Sequence, residues 1–398
     1  MNILLMARPD HSIFLYEGLK KFPQHQVELH TFGVFKRNTI PYFLLPSAKT
    51  VAKEVHISYA FTFFHRLLYF LSDKITFDYY KTETQIAEYF YAKILQKTQP
   101  VDIIHYWSFY CQQSVSRFHQ QNPNTKLLAD VYAAHPSYVQ ELLAPEFDKF
   151  GLSIHQSHFV KSSQRDLACL ENAPNLIVPS TYLADIYRRY FPDKQLFTAG
   201  YGLLKPPDSL IRSTHQRKKA QVFRIVFIGK ISIEKGCFYL LECLRKLPET
   251  AFCLEMIGEI ETAQLAVFKS YFNDANIKFL GKLPNSKIME LLPSYHVLVL
   301  PSLTEAYSLA VSEALVRKIP VIITENVGNK DDVEHFQVGI VCKIQSVEAL
   351  REAIVKCTNE DYRQCLVSNI NRFIKENQEN NYTTRVLEIY QQLLHGRD

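Results

Sequence analysis

From Phe223 onward the chain alternates between short, unbroken apolar runs and longer stretches with apolar residues at helical spacing. FRIVFIGKI is followed by CFYLLECLRKL, FCLEMIG by TAQLAVFKSYF, and IKFLGKL by SKIMELLPSY. VLVLPS, PVIITE, GIVCKI and SVEALREAIVKC continue the series. Apolar residues at consecutive positions belong to strands buried on both faces, and the intervening stretches read as crossover helices. The pattern predicts an α/β domain with a doubly wound parallel sheet. The first half repeats the theme in NILLMA, VELHTF, VDIIHYW, KLLADVYAA and NLIVPS. Between these, the stretch from Thr62 to Lys97 reads as mostly helical and rich in aromatics. Leu203 to Gln221 holds paired prolines, a basic cluster and no apolar period, as a linker between domains would. Doubly wound sheets bind ligands at the carboxyl ends of their strands. Two such sheets facing each other place an active site in the cleft between them.

A length of 398 residues suits two domains, and 47% hydrophobic with 21% charged residues describes an ordinary folded chain. The net charge of +5 is modest and no dense Lys/Arg block occurs, which gives nucleic acid no support as a partner. An anionic ligand or an anionic membrane surface stays open. The 8 cysteines show no pair at the spacing of a zinc or redox site. MNILLMARPD reads as a buried strand rather than a signal peptide. No segment reaches the roughly 20 apolar residues of a spanning helix. The expected location is cytoplasmic, extending to the inner face of the membrane. The aromatic region from Tyr59 to Tyr91 has two readings. It packs a core, or it forms an amphipathic surface for a lipid-linked acceptor, with His65, Arg66, Lys74 and Lys81 near lipid phosphates.

The chemistry concentrates at predicted strand ends. Gly229-Lys230 closes the first strand of the second half, and Glu234-Lys235-Gly236 leads into the next helix. Two lysines on a loop beside glycines and a helix start suit a phosphate group, and equally a solvated basic loop. The later segment PSLTEAYSLAVSEAL, Pro301 to Leu315, carries two carboxylates in an otherwise small and apolar run. Ser302 and Glu305 fit an S-x-x-E capping box. Glu313 lies further along and requires donors of its own. Arg317 is one helical turn on, and a sugar diol is the alternative partner; spacing by itself favours the salt bridge. No D-x-D pair occurs at a strand end.

Glu305 and Glu313 resemble the E-x7-E motif of the family 4 retaining glycosyltransferases, which have the GT-B fold. GKISIEKG resembles that family's G-R-L-x-x-x-K-G phosphate loop, with Lys230 where arginine is usual. VLVLPSLTEAYSLAVSEAL resembles its donor segment, and PVIITENVGNKDDVEHFQVGIVC its following P-V-I-x-T-x-x-G-G-x-x-E segment. NLIVPSTYLADIY and YTTRVLEIYQQLL are similar to the strand and helix near the end of the N-domain and to the closing helix. The usual E-G-F-G is Glu305-Ala306-Tyr307-Ser308 here, and ARPDHSIF, with Asp10 and His11, replaces paired glycines after the first strand.

The resemblance implies two Rossmann-like domains facing a central cleft. They comprise an acceptor-side domain over residues 1–205, a linker over 206–221, a nucleotide-sugar-binding domain over 222–375 and a crossing helix over 376–398. It implies a retaining transfer of sugar from a nucleotide-diphosphate sugar to a glycan or lipid-linked acceptor, in bacterial surface polysaccharide assembly. Glu313 would hold the ribose and Glu305 the transferred sugar, while Lys230 and Lys235 would neutralise the leaving diphosphate. His135 matches an N-domain histidine that contacts the donor sugar. The donor site would comprise Gly229, Lys230, Lys235, Ser302, Glu305, Ala306, Tyr307, Ser308 and Glu313. Catalysis would rest on His135, Glu305, Lys230 and Lys235, with no metal and no cofactor beyond the nucleotide sugar as co-substrate. A nucleotide-sugar epimerase of the same fold and a catalytically silent sugar-binding subunit are the alternatives.

Overall fold

The computed structural model describes residues 1–6, 15–31, 35–36, 50–51, 56–57, 79–107, 111–154, 170, 173–203, 222–379 and 381–396. Asp10, His11, the linker of 206–221 and most of the aromatic stretch from 59 lie outside them.

The first half is built on a sheet of 7 strands, and every pairing within it is parallel. Its strands are β1 (Asn2–Met6), β2 (Gln26–Thr31), the two-residue β5 (His56–Ile57), β6 (Ile103–Trp107), β7 (Lys126–Asp130), β8 (Asn175–Val178) and β9 (Gln195–Thr198). They lie in the order β5-β2-β1-β6-β7-β8-β9. A separate ribbon pairs β3 (Phe35–Lys36) with β4 (Thr50–Val51). Helices α1 (Tyr79–Leu95), α2 (Gln112–Gln121), α3 (Pro136–Asp148) and α4 (Thr181–Tyr190) follow in chain order.

The second half holds 6 parallel strands in the order β12-β11-β10-β13-β14-β15. These are β10 (Phe223–Ile228), β11 (Phe252–Ile257), β12 (Ile277–Gly281), β13 (Val297–Leu300), β14 (Val321–Thr324) and β15 (Gly339–Cys342). The crossovers include α5 (Cys237–Arg245), α6 (Asn285–Leu291), α7 (Leu309–Val316), α8 (Lys330–Phe336) and α9 (Val347–Lys356); α10 (Glu360–Glu379) and α11 (Tyr382–His395) close the chain. In both sheets the sequence order reverses beside the first strand, and this is where α/β folds open a ligand crevice. VLVL of β13 and VIIT of β14 are buried at every position, as continuous apolar runs require when helices cover both faces.

The last helix packs on the first sheet, not the second. Asn381 caps it, accepting the Thr384 N–H at 3.3 Å. Val386, Tyr390 and Leu393 then pack with Ile3, Leu5, Leu29 and Leu128 on one face of the N-terminal sheet. Buried polar groups fix its register. His105 Nδ1 lies 2.7 Å from the Tyr390 hydroxyl, and Tyr382 donates to Asp130 at 3.3 Å. Among the described residues, no helix is long and apolar enough to cross a membrane.

Candidate active site

The carboxyl ends of β10 and β13 carry the two loops singled out by sequence. After β10 the chain passes Gly229 and Lys230, runs through buried Ile231 to Glu234, and enters α5 behind Gly236. Gly236 has φ +65° and lies so close to the Pro301 carbonyl that a Cβ would come within 1.9 Å of it. Only glycine permits that contact, which presses the β10 loop against the β13 loop. The Glu234 carbonyl accepts the Leu303 N–H at 2.9 Å and ties the loops a second time.

Their juxtaposition brings Lys235 and Glu305 together. The Lys235 ammonium donates to a Glu305 carboxylate oxygen at 2.5 Å, with both side chains partly exposed. Lys230, about half exposed, is ion-paired with Glu261 in the loop after β11. Both lysines therefore sit at strand ends with a carboxylate beside each.

The segment from Ser302 to Ser308 does not begin a helix where the S-x-x-E spacing places one. Glu305 stays extended and pairs with Val327 across a parallel bridge, donating its N–H to the Asn326 carbonyl at 3.0 Å. The capping box is thus corrected. Ser308 is the N-cap of α7, its hydroxyl accepting from Val311 N, while the Ser302 hydroxyl is fully buried without a partner. The conformation is held from outside the segment. Asn329 accepts the Ser308 N–H at 2.7 Å and donates to the Ser308 carbonyl at 3.3 Å. The Ala306 carbonyl accepts the Ser180 hydroxyl at 2.9 Å, from the N-cap of α4. Gly328 lies so close to that carbonyl that a Cβ would come within 1.8 Å of it. Ala306 therefore forms a contact between the domains, and Tyr307 turns its ring away to pack on Tyr201, with centroids 5.4 Å apart.

Glu313 lies on α7 and is mostly buried, which raises its carboxyl above the usual range; a hydrogen bond from Asn285 opposes that shift. Its partner is the Asn285 side-chain amide at 2.5 Å, not Arg317, which corrects the reading from spacing. Arg317 is itself 9% exposed, its guanidinium destabilised by burial. Asn285 opens α6, four residues beyond Gly281. Gly281 and Phe279, with Gly258 to Ile260 and Thr262, line a cavity of about 460 Å³ at the ends of β11 and β12. Sequence reasoning passed over Asn285, Glu261 and this cavity, because each joins the site through folding rather than through a motif.

His135 caps α3, accepting the Ser137 N–H at 3.3 Å, rather than ending β7 as the sequence suggested. Its ring stacks on Tyr190, with centroids 3.7 Å apart, and meets Tyr187 and Phe191 edge-on. Burial holds the imidazole down to about 4, against a small opposing pull from Glu141. At neutral pH the ring is therefore uncharged, and with Nδ1 accepting, the proton rests on Nε2. The structure joins Lys235, Glu305, Ala306, Tyr307 and Ser308 in one connected assembly; the contacts of His135 lie on α3, on α4 and at Phe191, which ends α4.

Residues 212–378 match the sequence model of the family described as glycosyl transferases group 1. A putative teichuronic acid biosynthesis glycosyltransferase, TuaC of Bacillus subtilis, is 28% identical over 135 residues, 34% of this chain and 33% of that protein. The match thus spans about a third of that relative's length. Two solved structures align over nearly whole chains. Sucrose-phosphate synthase of Thermosynechococcus elongatus has a TM-score of 0.65 at 18% identity, covering 100% of both chains. HepE of Anabaena, in complex with UDP and glucose, has a TM-score of 0.60 at 17% identity, covering 99% of both. Two parallel sheets, a closing helix that returns to the first and these likenesses identify the architecture as GT-B, with residues 212–378 matching glycosyl transferases group 1.

Proposed function

We propose that the protein is a retaining, metal-independent glycosyltransferase that moves a sugar from a nucleotide-diphosphate sugar to a glycan or glycolipid acceptor. Bacterial surface polysaccharide assembly is the setting, a reading supported by the partial match to TuaC. The observation that carries it is the Lys235–Glu305 pair, set where the loops of β10 and β13 are pressed together. A diphosphate seated over this loop meets the ammonium groups of Lys230 and Lys235. Negative charge grows on the departing nucleotide diphosphate in the transition state, so fixed cations there lower the barrier. Glu305 then presents carboxylate oxygens to the hydroxyls of the transferred sugar, and Glu313 to the ribose. The cavity beside Gly258 and Phe279 supports a nucleoside seat, being within the ~300–1,000 Å³ of small-ligand sites.

Retention follows from a same-face reaction. The acceptor oxygen attacks the anomeric carbon as the bond to phosphate breaks, and the departing phosphate takes the acceptor's proton. In this scheme His135, uncharged at neutral pH, orients the sugar or stabilises developing charge rather than serving as an obligatory base.

The test is a thermal-shift comparison of UDP, GDP and their sugars, since a ligand that binds the folded form raises the midpoint. Product analysis by NMR in excess chelator follows. The expected results are a raised midpoint and a product of unchanged anomeric configuration. No shift with any nucleotide, an inverted product or a strict metal requirement would overturn the reading.

A further inference from the structure

Beyond Thr304, where α3, α4 and the loop after β14 meet, a cavity of about 410 Å³ opens between the domains. Its size falls within the ~300–1,000 Å³ of small-molecule sites. One wall is a corner of two phenol rings: Tyr138 and Tyr182 stand 6.2 Å apart at 72°. Both are anchored to the donor loop. Tyr182 donates to the Thr304 hydroxyl at 2.9 Å, one residue before Glu305. Asn326 donates to the Leu303 carbonyl at 2.9 Å and reaches the Tyr138 hydroxyl at 3.4 Å. The cavity is thus built onto the backbone that presents the Glu305 carboxylate.

Its charge selects the ligand. Asp185, Glu325 and Asp331 contribute carboxylates, against the cations Arg189 and Lys330. Arg189 reaches out to Glu141 at 3.4 Å and Asp185 pairs with Arg188 at 2.7 Å, which leaves the carboxylates of Glu325 and Asp331 against the ammonium of Lys330. A phosphate or an anionic headgroup entering here would meet like charge. A hydroxyl-rich, uncharged ring meets acceptors in the carboxylates, a donor in Lys330 and apolar faces in the two tyrosines.

We infer that this cavity is a subsite for an uncharged saccharide ring of the acceptor, held between Tyr138 and Tyr182 on one side and the Glu325–Asp331 loop on the other. The inference rests on the glycosyltransferase reading and adds the chemical class of the acceptor unit beside the donor sugar. The lipid or chain to which that unit is attached would extend out of the cleft.

The experiment uses the full chain with UDP bound and follows saturation transfer to maltose, cellobiose and lactose. Asp185→Arg places a long cation at the mouth of the cavity from an exposed helix position, and Tyr138→Ala removes one ring. Asp185→Arg guards against a fold defect in the tyrosine variant. The expected result is transfer to at least one disaccharide that falls at least about fivefold in both variants, with UDP affinity changed less than about twofold. The subsite is overturned by an undiminished signal in Asp185→Arg, by displacement of the sugar with inorganic phosphate, or by no disaccharide signal while UDP binds. Failure of UDP itself to bind would instead remove the donor reading, and the subsite with it.

Discussion

The hydroxyl of Tyr307 accepts the backbone N–H of Gly202 at 3.1 Å, joining the donor segment to the last described residues before the interdomain connection. Ser312 on α7 donates to the carbonyl of the same glycine at 2.9 Å. Both backbone groups of Gly202 are therefore held, one by the residue just before the N-cap of α7 and one by α7 itself. The Tyr307 hydroxyl also donates to Asp332 at 3.2 Å, and burial raises the carboxyl of that aspartate. A phenylalanine at this position would fill the same space without making these links.

Tyr307→Phe should lower stability by roughly 1–3 kcal/mol, because it leaves a buried amide and a partly buried carboxylate each short of a partner. A urea titration checks this through a lower midpoint at unchanged slope. An unaltered midpoint would show that the two groups find other partners.

Lys235 and Glu305 should behave as a unit. Lys235→Ala is expected to reduce turnover by about 10²–10³, the scale set by removing one charge-stabilising group from a reaction centre. Glu305→Ala should also be severe, and the double variant should lose far less than the product of the single losses. Multiplicative losses in this cycle would separate the two roles.

Glu313→Ala should weaken nucleotide-sugar affinity by roughly 1–3 kcal/mol, the value of a lost charged hydrogen-bond pair. Calorimetric titration of the folded variant reads this directly. An unchanged affinity would leave Glu313 as no more than the partner of Asn285.

His135 gives a pH signature. Its folded value lies near 4, against 6.5 for the free side chain. Between these values the unfolded chain takes up a proton that the folded one does not, so stability is full above pH 6.5 and declines toward pH 4. The expected loss is ~1–3 kcal/mol, measured by urea unfolding at pH 7 and pH 4.5. His135→Asn keeps a capping side chain but cannot titrate, and should flatten that slope.

The strands themselves and the lysine-bearing loop after β10 were legible in the chain because both are local. Apolar runs such as VLVLP state double-sided burial, and Gly229-Lys230 follows one of them directly. The start of α7 was not legible. Ser302 and Glu305 satisfy the spacing of a cap, yet the choice is made by Asn329, Ser180 and Gly328, which come from other parts of the chain and hold residues 305–308 out of the helix. Glu313 misled for the same reason. Arg317 is its neighbour by helical spacing, but Asn285, 28 positions away, supplies the hydrogen bond.

Because α11 seals one face of the first sheet, the N-terminal domain is discontinuous in sequence. During synthesis its strands emerge first, yet the helix that covers Leu5, Leu29 and Leu128 emerges only after the whole second sheet. Domains generally fold as units in order of synthesis, and exposed apolar surface in a waiting domain favours misassembly. Here the usual order is inverted: residues 222–357 hold a complete sheet with its own crossovers, while the earlier domain waits for Tyr382–His395. The closing helix thus acts as a timer for assembly. The first domain is finished only after the second sheet has been made.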